Sequence, residues 1–186
     1  MLTTFPGTSV EVSSLKKGSS RTLFEGIFAT AGVTLSQVCI MTGLEPYMIQ
    51  NWVKRGFISS PVKRVYSKEQ LAKILIINML RDVLPLEQIC DLVSVIAEVI
   101  ANTDEDLSSA DELYHRYVDI LSDERVVIGD KNGFLSAAED ITSDIDELVP
   151  NAKNRLFKLL LVLFNSHSAS IYLSEARQTM ADLSDR

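Results

Sequence analysis

The chain contains few of the residues from which catalytic and metal sites are usually built. Its 186 residues include only two cysteines, two histidines and one tryptophan. The histidines, His115 and His167, are far apart in sequence and have no cysteine or acid at ligand spacing, which favours polar surface or boundary positions. There is no phosphate-binding loop, dinucleotide-binding glycine motif or nucleophile elbow. We therefore expect a protein that is not an enzyme, with no catalytic residue, no metal site and no cofactor.

Disulfide and membrane-spanning patterns are also absent. Cys39 and Cys90 each fall on the apolar stripe of a predicted helix, which is typical of small buried side chains rather than of a disulfide framework. The longest apolar run, residues 156–164, is interrupted by Lys158 and is far shorter than the roughly 20 residues of a membrane span. The N-terminus has no apolar segment of signal-peptide length. These patterns predict a cytoplasmic protein that does not bind membranes.

Charge is distributed unevenly along the chain, whose net charge is −7. Residues 34–82 contain seven basic and three acidic side chains, whereas residues 83–152 contain 17 acidic and three basic ones. A basic segment followed by an acidic segment suits a protein that presents one face to nucleic acid and repels it with the other. The alternative for the acidic segment is an ordinary solvated helix surface.

The segment 34–82 carries boundary signals that predict, in order, a helix, a tight turn, a second helix, a short basic hairpin and a third helix. In chain order the boundary signals are a capping box at Thr34 and Gln37, Gly43 as a helix stop, Pro46 as a helix start, Gly56 as a second stop, and a capping box at Ser67 and Gln70. Agreement among these signals predicts a winged helix-turn-helix, in which the second helix is offered to a DNA major groove.

The second of these helices has two distinct faces. Ile49, Trp52 and Val53 form its apolar stripe, so Trp52 is expected to be structural. The other face and the hairpin carry polar side chains, which we divide by expected role. The candidates for DNA base readout are Tyr47, Gln50 and Asn51, and the candidates for phosphate and wing contacts are Lys54, Arg55, Lys63 and Arg64.

The order of these residues resembles the MerR and excisionase-type winged-helix domains. The motifs that carry the resemblance are Thr42-Gly43-Leu44, Pro46, Ile49, Trp52, Lys54, Gly56, Arg64-Val65-Tyr66-Ser67 and Leu84-Pro85-Leu86-Glu87-Gln88-Ile89. The chain departs from the MerR pattern on the second helix, where Gln50-Asn51 replaces an Arg-Tyr pair. The usual phosphate contacts of that pair are therefore not carried over.

A more specific resemblance is to an uncharacterised family of mainly Gram-positive bacterial proteins with a MerR-like DNA-binding domain. The shared patterns are Leu35 to Val38 and Ile49 to Gly56, and the similarity extends from about Leu23 to about Ile96. The resemblance implies a transcriptional regulator without a defined ligand.

The rest of the chain is predicted to be mainly helical. We expect a loose N-terminal arm at 1–20, the winged helix-turn-helix domain at 21–101, and an acidic, helical, bundle-like region at 102–186 for dimerisation or effector binding. Within the last region the patterns predict a weak acidic helix at 137–148, an apolar helix at 152–164 and a separate amphipathic helix at 171–183. Residues 152–164 are apolar nearly all round, which indicates a central helix or one buried between two subunits.

Two functional hypotheses follow from these patterns. The first is a sequence-specific transcriptional regulator that binds double-stranded DNA at a palindromic or pseudo-palindromic operator as a homodimer, with the helices after Pro150 as the dimer seam. The alternative is a protein-interaction module that uses the winged-helix surface to dock a protein partner. The two hypotheses differ in salt dependence, because phosphate contacts weaken steeply with salt and a protein interface need not.

Overall fold

The computed structural model describes residues 3–29, 32–100, 110–143 and 151–184, and the described chain is mainly helical as expected. The strands are short and form two antiparallel pairs, β1 with β2 and β3 with β4. The elements, in chain order, are β1 Thr3–Thr4, β2 Glu11–Val12, α1 Ser19–Phe28, β3 Val33–Thr34, α2 Leu35–Thr42, α3 Pro46–Lys54, β4 Val65–Tyr66, α4 Lys68–Leu80, α5 Leu86–Ile100, α6 Ala110–Leu121, α7 Lys131–Thr142 and α8 Ala152–Ser184.

Both predicted capping boxes in the segment 34–82 are present. The Thr34 hydroxyl accepts from the Gln37 backbone N–H, and the Gln37 side chain accepts from the Thr34 backbone N–H at 2.8 Å. Ser67 and Gln70 make the same reciprocal pair at the start of α4. Because each box satisfies two otherwise unpaired backbone donors, α2 and α4 begin at fixed residues.

The turn between α2 and α3 also follows the sequence signals. Gly43 has a φ of 69° and its N–H donates to the Cys39 carbonyl, which closes α2. Pro46 occupies the first turn of α3, where its missing N–H leaves no hydrogen bond unmade. The two helices are therefore joined by only a few residues and pack against each other.

Helix α4 lies at the centre of the molecule. It contacts α2, α5, α6 and α8, and its side chains are buried from Gln70 to Ile77 with the exception of the half-buried Lys73. The buried apolar side chains form one continuous cluster that runs from Phe5 to Phe164. The basic segment and the acidic segment therefore share a single hydrophobic core.

A charged network ties α1 to α6 at the edge of this core. The Arg21 guanidinium donates to Asp119 at 2.6 Å and to Glu112 at 2.9 Å. Glu112 also accepts from Arg116, and the Asp119 carboxylate accepts from the Gly18 backbone N–H at 2.7 Å. The buried carboxylate of Asp119 is thus paired with an opposite charge and hydrogen-bonded, and both interactions offset the cost of burying a charge.

The N-terminal segment differs from the loose arm predicted at 1–20. Residues 3–12 form the β1–β2 pair, and Phe5 is buried in the core. The Asn78 side chain of α4 donates to the Gly7 carbonyl at 2.9 Å, and the Tyr114 hydroxyl of α6 donates to the Pro6 carbonyl at 2.8 Å. Gly7 has a φ of 74°, and a Cβ there would lie 2.2 Å from the Leu75 carbonyl oxygen. The glycine therefore permits close packing on α4.

The C-terminal helices also differ from their predicted boundaries. Helix α7 begins at Lys131, with the Asp130 side chain accepting from the Asn132 N–H, rather than at residue 137. Residues 144–148 of that predicted helix lie outside the described residues. The two predicted helices at 152–164 and 171–183 are one continuous helix, α8.

The apolar run 156–164 is packed inside the chain. Leu156, Leu160 and Leu163 are fully buried against the core, and the Phe164 ring stacks on Phe134 of α7 with centroids 4.2 Å apart. Of the two alternatives for this run, the central helix is correct, because α4, α5 and α7 all pack on α8. A dimer is therefore not needed to cover this part of the predicted seam.

Among the described helices, α8 is the one that is long and apolar enough to cross a membrane by length and composition alone. Its most apolar window, within Ala152–Leu183, has a mean hydropathy of 1.4, and 39% of that window is buried inside the fold. The core helix of a soluble protein produces the same signal, so this pattern is weak evidence for a span.

His115 is more enclosed than the polar surface or boundary position predicted for it, whereas the half-buried His167 does lie at a boundary. His115 is buried, with Nδ1 2.9 Å from the Ser20 hydroxyl. Burial and the Arg21 charge lower the pKa of His115 to about 4. The half-buried His167 has Nδ1 2.8 Å from the Tyr117 hydroxyl, and burial lowers its pKa to about 4. Both histidines are therefore neutral packing residues at neutral pH.

Candidate nucleic-acid interface

Helix α3 presents a polar face to solvent. Tyr47, Gln50, Asn51 and Lys54 recur at helical spacing, and all four side chains are exposed, Tyr47 by 69%. A phenol, two amides and an ammonium on one helical face offer hydrogen-bond donors and acceptors that suit base edges and phosphates.

The opposite face of α3 fixes this helix to the core. Ile49 is fully buried and Trp52 is 5% exposed, which confirms the expectation that Trp52 packs inside the fold. The Trp52 carbonyl accepts from the Phe57 N–H at 2.9 Å, so the chain turns sharply after α3. The orientation of the polar face is therefore set by buried residues of its own helix.

The basic hairpin is a tight turn of four residues. The Val65 N–H donates to the Val62 carbonyl at 3.0 Å across Lys63 and Arg64. The strand that follows, β4, pairs with β3 ahead of α2, with Val33 opposite Tyr66 and Thr34 opposite Val65. The exposed cations Lys63 and Arg64 therefore stand at the tip of a turn that is attached to the start of α2.

The base of this turn is held by a buried amide that the sequence signals did not identify as part of the site. The Gln70 side chain donates to the Ser59 carbonyl at 2.8 Å and to the Ser59 hydroxyl at 3.0 Å, while its oxygen caps α4. Ile58 beside it is fully buried. The capping box at Gln70 was visible in the sequence, but its second role depends on a contact with a distant loop.

Arg55 is placed differently from the other predicted phosphate-contacting residues. Its guanidinium pairs with the Glu87 carboxylate of α5 and lies 4.6 Å above the centre of the Phe57 ring. Both partners are exposed enough that the ion pair contributes little to stability. The structure therefore brings Tyr47, Gln50, Asn51 and Lys54 onto one face, and directs Arg55 towards α5.

The remaining cations of the site are available to an anionic partner. Within the described part of the chain, Lys54, Lys63 and Arg64 take part in none of the ion pairs. Lys73 is paired with Glu69 at 2.6 Å. The positive charge of the interface is thus concentrated at the end of α3 and at the turn tip.

Three exposed apolar side chains lie in the same segment. Ile40 on α2 and Val62 at the turn are 75% and 74% exposed, and Tyr47 adds its ring. Of these three side chains, Tyr47 was predicted to lie in the site, whereas Ile40 and Val62 were not. Their exposure is decided by the packing of α2 and the turn, which helical spacing alone does not give.

No group of three or more histidine, cysteine or acidic side chains that could hold a metal ion occurs among the described residues. Both cysteines are half-buried and unbridged, and burial raises the pKa of each thiol.

One family model matches the chain, at residues 33–117, and its description is a domain of unknown function, DUF1836. The matched segment begins at β3 and extends into α6, so it contains the whole candidate interface and the central helix α4. No curated protein and no solved structure matches the chain.

Proposed function

We propose that the protein is a sequence-specific DNA-binding transcriptional regulator whose head, from β3 to α4, is a winged helix-turn-helix. The observation that carries the proposal is the exposed polar face of α3 beside a cationic turn. In this arrangement α3 enters the major groove, and the turn at Lys63 and Arg64 is the wing. The MerR-like resemblance of the sequence supports the same reading.

The roles of the interface residues follow from their positions. Gln50 and Asn51, in the middle of the exposed face, offer amides that can pair with adenine through two hydrogen bonds, and Tyr47 adds a phenol. Lys54, Lys63 and Arg64 lie at the rim and contact phosphates. Arg55 positions the end of α3 through Glu87 and Phe57 rather than contacting DNA directly.

We further propose that the regulator is a homodimer. A single short winged helix reads too few bases for useful discrimination, and a two-fold dimer doubles the site. The operator is then palindromic or nearly so.

The first experiment recovers bound fragments from total genomic DNA with the purified chain, and then compares two variants on the enriched sequence. Asn51→Ala should lose about 1–3 kcal/mol of discrimination at one base position, because a base-edge contact is removed. Arg64→Ala should weaken all DNA about equally and flatten the slope of log affinity against log salt by about 0.9, because one phosphate contact is lost.

Lys131→Ala is the matched control for charge, since Lys131 is an exposed cation at the start of α7, outside the interface. It should leave both the affinity and the salt slope unchanged. If a Lys63→Ala/Arg64→Ala variant folds normally and binds the enriched sequence as tightly as the wild type at low salt, the turn at Lys63 and Arg64 does not contact DNA.

The exposed side chains of Ile40, Val62 and Tyr47 favour the second candidate function, in which the same surface docks a protein. In that case genomic DNA shows no enriched sequence, and binding of the partner changes little with salt.

A further inference from the structure

A cavity of about 370 Å³ lies between the base of the wing turn and helices α4 and α5. One wall is the segment that follows α3, with Phe57 and Ser59, and the other walls carry Ile77 of α4 and Cys90 and Val93 of α5. Its volume is within the range of small-molecule sites, which are typically apolar with a few polar groups.

The chemistry of the lining is an apolar floor with one cation at its side. Ile77 is 1% exposed and Val93 is 9% exposed, so both apolar side chains are buried at the floor. The Lys73 ammonium also lines the cavity and is paired with Glu69 at 2.6 Å. An ammonium has three N–H donors, so this pair leaves two for a ligand.

Three of the remaining polar groups refine the ligand class, and a fourth, the Ser94 hydroxyl, donates to the Cys90 carbonyl at 2.9 Å. The Ser59 hydroxyl accepts from Gln70, which leaves its own proton to donate. The Cys90 thiol stays neutral, because burial raises its pKa. The Glu69 carboxylate would repel a second negative charge on the ligand. The walls therefore suit one negative charge near Lys73 and a flat apolar body against Phe57.

We propose that this cavity binds a small monocarboxylate with an aromatic or branched apolar body, as an effector of the DNA-binding face. The regulatory part of this inference rests on the proposed function. Its physical basis is Phe57, which lines the cavity and carries the Arg55 guanidinium 4.6 Å above its ring. Because Arg55 also pairs with Glu87, a ligand that displaces Phe57 or α5 changes the anchoring of the end of α3.

The test of the site uses the purified full chain without DNA, with 2-naphthoate as the probe and isothermal titration calorimetry as the measurement. We expect one saturable site per chain. Lys73→Met should raise the dissociation constant at least about tenfold, because a charge-assisted hydrogen bond is lost. Lys68→Met, on the exposed side of the same helix, should bind as the wild type does.

The wild-type chain also provides a test that does not depend on any variant. The neutral alcohol 2-naphthylmethanol should bind at least about tenfold more weakly than 2-naphthoate. Absence of saturable binding up to about 5 mM naphthoate, equal binding by Lys73→Met, or equal binding of the alcohol would each overturn the site.

The coupling is tested on the sequence enriched from genomic DNA. Saturating 2-naphthoate should shift the operator affinity of the wild type, and operator DNA should shift naphthoate affinity by the same factor. The Lys73→Met variant should show no shift at the same concentration. If naphthoate binds but leaves operator affinity unaltered, the regulatory part is wrong while the site stands. Because naphthoate binding is measured without DNA, failure of the DNA-binding function does not affect that result.

Discussion

Lys63 and Arg64 both have backbone conformations that side chains with a Cβ disfavour. Their φ angles are 50° and 67°, so two successive non-glycine residues lie in the left-handed region. This conformation costs roughly 1–2 kcal/mol per residue relative to the right-handed one, and tight two-residue turns of this kind usually contain Asn-Gly. The two cations therefore lower the stability of the turn, and they place positive charge at an exposed position.

The strained turn predicts that one double substitution has opposite effects on stability and on DNA affinity. Replacing both residues, Lys63→Asn with Arg64→Gly, should raise the free energy of unfolding by about 1–2 kcal/mol, since the new residues tolerate the turn. The same variant should bind DNA more weakly, because the two proposed phosphate contacts would be lost. Urea denaturation and DNA titration at low salt measure the two effects.

The double alanine variant of the same positions is the control. It removes both charges and keeps side chains that disfavour the turn, so it should weaken DNA binding without gaining stability. If the Asn-Gly variant is no more stable than the double alanine variant, the turn is not strained. If it binds DNA as tightly as the wild type, Lys63 and Arg64 do not contact DNA.

Sequence patterns predicted the exposed polar face of α3 but not the environment of every residue in the candidate interface. The exposed face of Tyr47, Gln50 and Asn51 follows from helical spacing, which is a local property. The pairing of Arg55 with Glu87 depends on how α5 packs beside α3, and no local pattern contains that information.

The same distinction holds for whole elements. Both capping boxes were predictable because each involves residues three apart, and the stops at Gly43 and Gly56 are equally local. The N-terminal pair β1–β2 was not predictable, since it is held by Asn78 and Tyr114, far along the chain.

The prediction of two helices in place of α8 was wrong for a related reason. The polar stretch 165–170 reads as a break, yet it contains no glycine or proline. In the structure Ser166 and Ser168 face inwards and are buried, and His167 meets Tyr117 of α6. Tertiary packing thus carries the helix through a segment whose composition is typical of a loop.

The contact between His167 and Tyr117, which joins α8 to α6, predicts a pH dependence of stability. The pKa of His167 is lowered by burial to about 4 in the folded chain, against about 6.5 when unfolded. Between these values the unfolded chain binds a proton that the folded chain does not. The free energy of unfolding therefore falls as pH falls through this window, by at most about 1.4 kcal/mol per pH unit for one histidine.

Replacing His167→Gln removes the titrating ring and keeps a polar group near Tyr117. The variant should lose less stability than the wild type between pH 6.5 and 4, although His115, whose pKa is also about 4, still contributes. Urea denaturation at several pH values measures both slopes. Parallel pH profiles for variant and wild type would show that His167 does not titrate in this way.

At the scale of the whole molecule, one core joins the two electrostatic halves. The interface cations lie in the segment 34–82, and the strongly acidic segment 83–152 supplies α5, α6 and α7, which pack on α4 or α8. Because the core is continuous, the acidic helices hold the basic face in a fixed orientation. Under the proposed function, the positive charge of the first segment attracts DNA and the negative charge of the second repels it.

The C-terminal end of α8 is mostly exposed, and one of its contacts with the rest of the fold is the ion pair between Arg177 and Asp82, at 3.6 Å. Residues 174–183 are all exposed, and ten helical residues extend about 15 Å. Leu173, Ala176 and Leu183 recur at the three- and seven-residue spacing of a coiled-coil seam, and Leu183 is 67% exposed. An apolar stripe on a projecting helix is a surface that two copies of the chain can cover together.

We therefore predict that the proposed dimer forms through this distal stripe rather than through residues 156–164. Leu183→Glu should convert the dimer to a monomer in light scattering at micromolar concentration, because a charge then faces the seam. Ser174→Glu adds the same charge at an exposed position beside Leu173, outside the stripe, and should leave the dimer intact. The core is untouched by either change, so the far-ultraviolet circular dichroism of the folded chain should be preserved. A wild-type chain that is monomeric at these concentrations would exclude the dimer, and a Leu183→Glu variant that stays dimeric would place the seam elsewhere.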